Sequence, residues 1–205
     1  MDAAPENRSL LLIVAGPAGS GKTTLRERLI RTFEPALQRV VTATTRPRRS
    51  GETDGVDYYF LSEEAFAEKQ RDDGFYECAV VHGRYSYGAP KEEIAGKLGA
   101  GTDLIMNVDV AGAAHYRAIA ATDPVLCDRL VTVFIKPRDL DQLRSRLQRR
   151  DPGRDDEIAR RIRTAESEIE QWRQFDYCFI STSKSKDFQL LKAIYTAEKL
   201  RTPRG

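Results

Sequence analysis

Between Leu10 and Phe33 the chain passes from six consecutive apolar residues, Leu10-Leu-Leu-Ile-Val-Ala15, through Gly16-Pro-Ala-Gly-Ser-Gly21-Lys22-Thr23, into a helical pattern carrying Leu25, Leu29, Ile30 and Phe33. An unbroken apolar run of strand length is what a strand buried on both faces requires, and such strands belong to parallel sheets covered by helices. The eight residues after it fit G-x-x-x-x-G-K-[ST] in the strand-to-helix setting that this pattern demands. Glycines let backbone N–H groups turn inward around phosphate oxygens, beside the positive end of the helix that follows. A plain glycine-rich turn accounts for the glycines but not for a Lys-Thr pair in register. The segment therefore predicts a nucleoside triphosphate site. Its expected contacts are Gly16, Ala18, Gly19, Ser20, Gly21, Lys22, Thr23 and Thr24, with Lys22 on the β- and γ-phosphates and the Thr23 hydroxyl helping to hold Mg2+.

Apolar runs recur at Leu104 to Met106 with Val108, at Leu130 to Ile135 and at Tyr177 to Ile180. Helical patterns fall at about 111–120, 139–149 and 155–173, and around Phe188, Leu191, Ile194 and Tyr195. Strands alternating with helices predict an α/β fold, a parallel sheet flanked by helices. Residues 42–90 break that rhythm with short alternating pieces and one helix starting near Ser62, where Glu63 and Glu64 suit the first turn. They read as a small mixed α/β insert on a core made of 10–41 and 91–205, preceded by a loose polar tail at 1–9. From Arg138 to Arg163 nine arginines face six acidic residues, and Asp151-Pro152-Gly153 interrupts the helical pattern. Most of those arginines read as a solvated face, but the break suggests the mobile turn of a closing lid, at about 138–163.

Thirty-three basic against 31 acidic residues leave a formal charge of +2, which argues against a broadly basic nucleic-acid coat or a membrane-surface protein. No apolar run approaches the roughly 20 residues of a membrane span, and the N-terminus lacks the basic and apolar regions of a signal peptide. The expectation is a soluble, cytoplasmic protein without a nucleic-acid or membrane partner. Cys78, Cys127 and Cys178 form no C-x-x-C pair and read as reduced thiols. His82 and His115 are too few and too far apart to suggest a zinc site, and read as core or surface residues.

Within the insert, Arg46, Arg48 and Arg49 place three guanidinium groups in four positions, and arginine suits bidentate phosphate recognition. Asp57-Tyr58-Tyr59-Phe60, Phe75-Tyr76-Glu77 and Tyr85-Ser86-Tyr87-Gly88 add hydroxyl donors and one carboxylate able to accept two N–H groups of a guanine edge. That set suits a nucleoside monophosphate, although a solvated basic loop with core aromatics has the same composition.

Taken together, Gly16–Thr23, Thr44-Thr-Arg-Pro-Arg-Arg-Ser-Gly-Glu52, Gly55-Val-Asp-Tyr-Tyr-Phe60, Phe75-Tyr-Glu77, Tyr87-Gly88, Asp109-Val-Ala-Gly112 and the arginine-rich lid resemble the guanylate kinases, from about Leu10 to Arg201. These are P-loop enzymes that move the γ-phosphoryl of ATP to GMP. The resemblance implies a P-loop NTPase-type sheet with a monophosphate-binding insert and a helical lid. It implies ATP with Mg2+ and GMP as partners, dGMP as a further acceptor, and a monomer or homodimer. Carried over residue by residue, Arg46, Arg49, Tyr58 and Tyr87 would hold the GMP phosphate. Glu77 would read guanine N1 and N2, with Thr42 and Ala89 beside it. Asp109 would lie near the acceptor and the water shell of the metal. Arg146, Arg150 and Arg161 would clamp the transferring phosphoryl from the lid, and Ser181 would lie near the adenine. Lys22, Arg46, Arg150 and Arg161 would be the catalytic set.

The chain departs from the family pattern where Pro47 stands one place early and where Ala89 replaces a hydroxyl residue. Asn107 stands where an Asp is usual, Ala111 for a Gln, and Ser181 for an Asn. Three of these touch base recognition and none touches phosphate handling. A related kinase of another phosphorylated acceptor, such as a ribose bisphosphate, would tolerate Ala89 and Asn107 but would have no need of Glu77. A non-catalytic interaction module would have no need of Lys22 and Thr23.

Overall fold

The computed structural model describes residues 8–81 and 83–202. His82 and residues 1–7 of the expected tail lie outside the described residues. Five parallel strands form the main sheet in the order β2-β7-β1-β8-β9: β1 (Leu11–Ala15), β2 (Leu37–Arg39), β7 (Asp103–Asn107), β8 (Leu130–Pro137) and β9 (Tyr177–Ser181). Around them lie α1 (Lys22–Phe33), α3 (Lys91–Gly99), α4 (Val110–Ala120), α5 (Leu140–Arg150), α6 (Asp155–Glu170) and α7 (Lys184–Lys199). A second sheet, in the order β4-β3-β6-β5, is drawn from β3 (Ala43–Thr44), β4 (Tyr59–Phe60), β5 (Phe75–Val81) and β6 (Tyr85–Pro90), with α2 (Glu63–Arg71) packed on it.

The apolar run at β1 sorts by its two-residue period into two cores. Leu11, Ile13 and Ala15 pack with Ile94 and Leu98 of α3 and with Val110, Ala113 and Tyr116 of α4. Leu10, Leu12 and Val14 pack on the other face with Leu25 and Leu29 of α1 and Phe188, Leu191 and Tyr195 of α7. Full burial of each such side chain stabilises by about 1.5–3 kcal/mol, so the strand is fixed from both sides. A third, small cluster joins Leu143 and Leu147 of α5 to Ile158, Ile162 and Ala165 of α6. The insert has its own, where Phe66 and Phe75 stack at 4.6 Å between ring centroids.

Several elements differ from the sequence expectation. Arg8 and Ser9, grouped with the tail, are tied down: Ser9 is buried with its hydroxyl donating to the Leu98 carbonyl at 2.6 Å, and Arg8 pairs with Glu198 at 3.3 Å. The helix expected to reach residue 173 ends at Glu170 and continues as a 3-10 turn, Gln171–Gln174. β2 and α3 had no expectation at all: one is three residues long, and the other has only Ile94 and Leu98 as a large apolar stripe. At the end of the sheet away from β1's glycine-rich exit, Asp103 accepts from the Leu10 amide at 2.8 Å, the Tyr195 hydroxyl at 2.5 Å and the Lys199 ammonium at 2.9 Å. This knot is buried and locks β1, β7 and α7 together.

Candidate active site

The site forms where β1 and β7 end, on the edge at which open parallel sheets present their loops to ligands. Backbone sterics set the loop after β1. Gly16 has φ +138°, and a Cβ there would lie 2.5 Å from the Ile135 carbonyl oxygen, so the loop can approach β8 only as glycine. Gly19 has φ +87°, with Leu143 and Leu147 of α5 against it at 3.3 and 3.2 Å from where its Cβ would be. The loop is thus pressed directly onto α5. Lys22 folds over it, donating to the carbonyls of Gly16 at 2.5 Å and Pro17 at 3.0 Å. Burial pushes the Lys22 ammonium down, against the opposing pull of Glu168 and Asp109, with Arg150 adding to the downward push. The Ser20 hydroxyl is buried without a partner among the described residues.

A cavity of about 510 Å³ opens beside this loop, between Gly19–Gly21, Thr24, Arg146, Arg150, Lys184 and Asp187. A second, of about 280 Å³, is lined by Ala18, Gly19, Gly21–Thr24, Arg146 and Arg150. Of the residues expected around the triphosphate, Ala18, Gly19, Ser20, Gly21, Lys22, Thr23, Thr24, Arg146 and Arg150 line one or both cavities, and Gly16 and Ser181 line neither. Ser181 is fully buried and touches two side chains of the cavity wall, the first being Arg146, both of whose terminal nitrogens donate to its hydroxyl at 3.2 Å. The Ser181 hydroxyl in turn donates to Asp187 at 2.7 Å, and Asp187 also accepts the Thr182 amide at 2.8 Å. Asp187 was not legible as a site residue, because no motif marks it.

On the insert side, Thr42, Glu77, Tyr87, Ala89, Asn107 and Asp109 line one cavity of about 200 Å³. The β5–β6 register explains the grouping: Glu77 opposes Ala89 and Ala79 opposes Tyr87, all on one face, while Tyr85 opposes Val81 one rung further out. Tyr85 lies under the Arg84 guanidinium, 4.9 Å away, so Tyr87 and not Tyr85 faces the cavity. A register shift between Phe75 and Glu77 bends β5 where Glu77 turns off. Burial, reinforced by Asp109 and opposed by His115, pushes the Glu77 carboxyl up. His115 is anchored by a 2.8 Å contact between its Nε2 and the Tyr76 carbonyl. Asp109 caps α4, accepting the Gly112 amide at 2.7 Å.

Arg46 is buried and held by Glu52 at 2.8 Å and by the Pro47 carbonyl at 2.7 Å, with Tyr58 5.5 Å from its guanidinium. The Glu52 bond, helped by Tyr87, raises its affinity for its proton. Tyr58 and Tyr87 meet edge to face at 5.9 Å. Glu52 also accepts the Arg49 amide at 2.8 Å, and so fixes the whole arginine loop, a part the sequence did not assign to it. The Arg49 side chain itself is exposed and lines neither cavity. Arg161 lines neither cavity beside the loop: Asp151 holds it at 2.8 Å and Glu157 binds it as well, while the same Asp151 oxygen lies 3.4 Å from Arg150 Nε. Glu168 was also not foreseen; burial pushes its carboxyl up while Lys22 pulls it down.

The family described as Guanylate kinase matches this chain over residues 8–198. The chain belongs to the guanylate kinase family. The guanylate kinase of Maricaulis maris is 39% identical over 194 residues, covering 95% of this chain and 85% of that one. That of Listeria innocua is 36% identical over 197 residues, covering 96% and 92%. The crystal structure of guanylate kinase from Anaplasma phagocytophilum superimposes with a TM-score of 0.68 at 23% identity, over 97% of this chain and 90% of that one, and shows the shared fold.

Proposed function

We propose that the protein transfers the γ-phosphoryl group of ATP to GMP, and to dGMP, giving ADP and the nucleoside diphosphate. The observation that carries this reading is the cavity shared by Thr42, Glu77, Tyr87, Ala89 and Asp109, next to the loop that bears Lys22. Residues 42–90 serve as the acceptor-binding insert, and about 138–163 as the lid. An oxygen of the GMP phosphate forms the new bond to the γ-phosphorus as the bond from the β–γ bridging oxygen breaks. The acceptor oxygen is already anionic, so the protein's work is in-line positioning and charge compensation. Lys22 exchanges the Gly16 and Pro17 carbonyls for phosphate oxygens. Arg46, with Tyr58 and Tyr87, offsets repulsion between two anionic substrates, and Arg49 turns inward from the surface to join them. Arg146 and Arg150 take the ATP side, and Arg161 reaches the transferring group only after leaving Asp151, which makes lid closure a late step.

The residues present also fit Mg2+. The Thr23 hydroxyl has one long contact, 3.4 Å from the Asn107 side-chain nitrogen, and the Asn107 carbonyl oxygen is buried without a partner among the described residues. Among the described residues no three His, Cys, Asp or Glu gather as a cage, which suits a cation held mainly by phosphates and water. Thr23 would hold it directly and Asp109 through water. When bound, the ion neutralises charge on the β- and γ-phosphates.

No described helix is long and apolar enough to cross a membrane. ADP release measured with GMP, dGMP, AMP and ribose 1,5-bisphosphate tests the reading: turnover with the two guanine nucleotides is expected, and none with GMP at millimolar concentration would end it.

A further inference from the structure

Gly112 lies in the first turn of α4, beside both acidic side chains of the acceptor cavity, Glu77 and Asp109. A Cβ built there would stand 2.9 Å from Glu77 Oε1 and 3.3 Å from Asp109 Oδ1, with the Val108 Cβ at 3.2 Å. Its amide is already used by Asp109. The nearest obstacle is therefore the tip of a flexible side chain, whose carboxylate rests on bare Cα. We propose that Gly112 is a specificity-setting position: the absence of a Cβ seats the Glu77 carboxylate on α4, where it can take two N–H donors from one edge of a 6-oxopurine that carries a 2-amino group. The inference rests on the acceptor reading given above. A methyl group at 112 would displace the carboxylate and leave the phosphate contacts of Arg46 and Tyr87 untouched. Gly112 acts through Glu77 and is a positioning residue.

The test is a double-mutant cycle read by GMP binding in calorimetry, with ATP binding as control. Gly112→Ala should weaken GMP by about tenfold or more, the scale of one charge-assisted hydrogen bond, and should lower the preference for GMP over IMP, which lacks the 2-amino group. ATP affinity should stay within about twofold. In a Glu77→Ala background the same substitution should change GMP affinity by less than about twofold, because the closest contact, Glu77 Oε1, is gone and only the longer ones to Val108 and Asp109, at 3.2 and 3.3 Å, remain. Alanine is the better helix former, so the fold should persist. If Gly112→Ala alone melts too low to study, Glu77→Ala with Gly112→Ala should recover the melting temperature of Glu77→Ala. Unchanged GMP affinity in Gly112→Ala, an equal loss in both backgrounds, or no thermal recovery in the double variant would overturn the proposal. A parent protein that binds no GMP would instead remove the acceptor reading beneath it, and the proposal with it.

Discussion

Glu77 shows how a binding residue can oppose folding. Its carboxyl is pushed up by burial and by Asp109, so the folded chain holds that proton more tightly than the unfolded chain does. Stability from this group is present below the ordinary glutamate value, near about 4.3, and is lost as pH rises through the raised folded value. Glu77→Gln should therefore melt higher than the parent at pH 7.5, and the gap should close as pH falls to about 4. A variant that melts lower at pH 7.5 would remove the strain argument. The same substitution should raise the KM for GMP, since a carboxamide oxygen and a carboxamide N–H cannot both accept. Arg46 is a different case, because Glu52 and Pro47 already position it. Arg46→Ala should raise the GMP KM and lower kcat together, by about 1.5–3 kcal/mol in kcat/KM, the worth of a charged hydrogen bond. A normal GMP KM in that variant would place phosphate binding elsewhere.

At the scale of elements, the loop after β1 and the helix α5 behave as one piece, because Leu143 and Leu147 press against Gly19. Leu147→Ala should cost about 2–5 kcal/mol of packing energy, concentrated in the α5–α6 cluster. We expect a raised ATP KM and a larger share of ATP lost to water, read as phosphate released per GDP formed, while GMP affinity stays unchanged. Equal coupling in parent and variant would show that α5 does not govern water exclusion. The elements most legible in the sequence were those with a strong period: β1, β7, β8, β9, α4 and α5 fall within a residue or two of expectation, and α1 and α7 contain the apolar positions expected of them. β2 escaped because three residues carry no period, and α3 because Gly96 and Gly99 dilute its apolar stripe. The Asp187–Ser181–Arg146 chain escaped for another reason. It joins residues six and 35 positions apart through hydroxyl, carboxylate and guanidinium groups that have no fixed spacing, so only the fold reveals it.

Over the whole molecule, a formal charge of +2 conceals a sorted distribution. Lys22, Arg146 and Arg150 converge on the glycine loop, Arg46 is set into the insert, and the acids that balance them are partly in the site itself, as Glu52, Asp109 and Glu168. The site residues that motif spacing announced were those on one loop or one strand face, whereas the Arg161 side chain is held by Asp151 and Glu157 and that of Arg49 is exposed, placements that no linear pattern encodes. If the proposed ATP and GMP sites are the separate cavities beside the glycine loop and on the insert, Lys22→Ala should abolish transfer while GMP binding stays within about tenfold, measured on a folded protein by calorimetry. Collapse of GMP binding would mean that the cavities are not independent. The account stands or falls on where the γ-phosphoryl group goes. With ATP labelled at the γ-phosphorus and equimolar GMP, label should move to GDP in step with ADP formation, with little inorganic phosphate. Label appearing chiefly as phosphate, or remaining in ATP, would contradict direct transfer between the two sites.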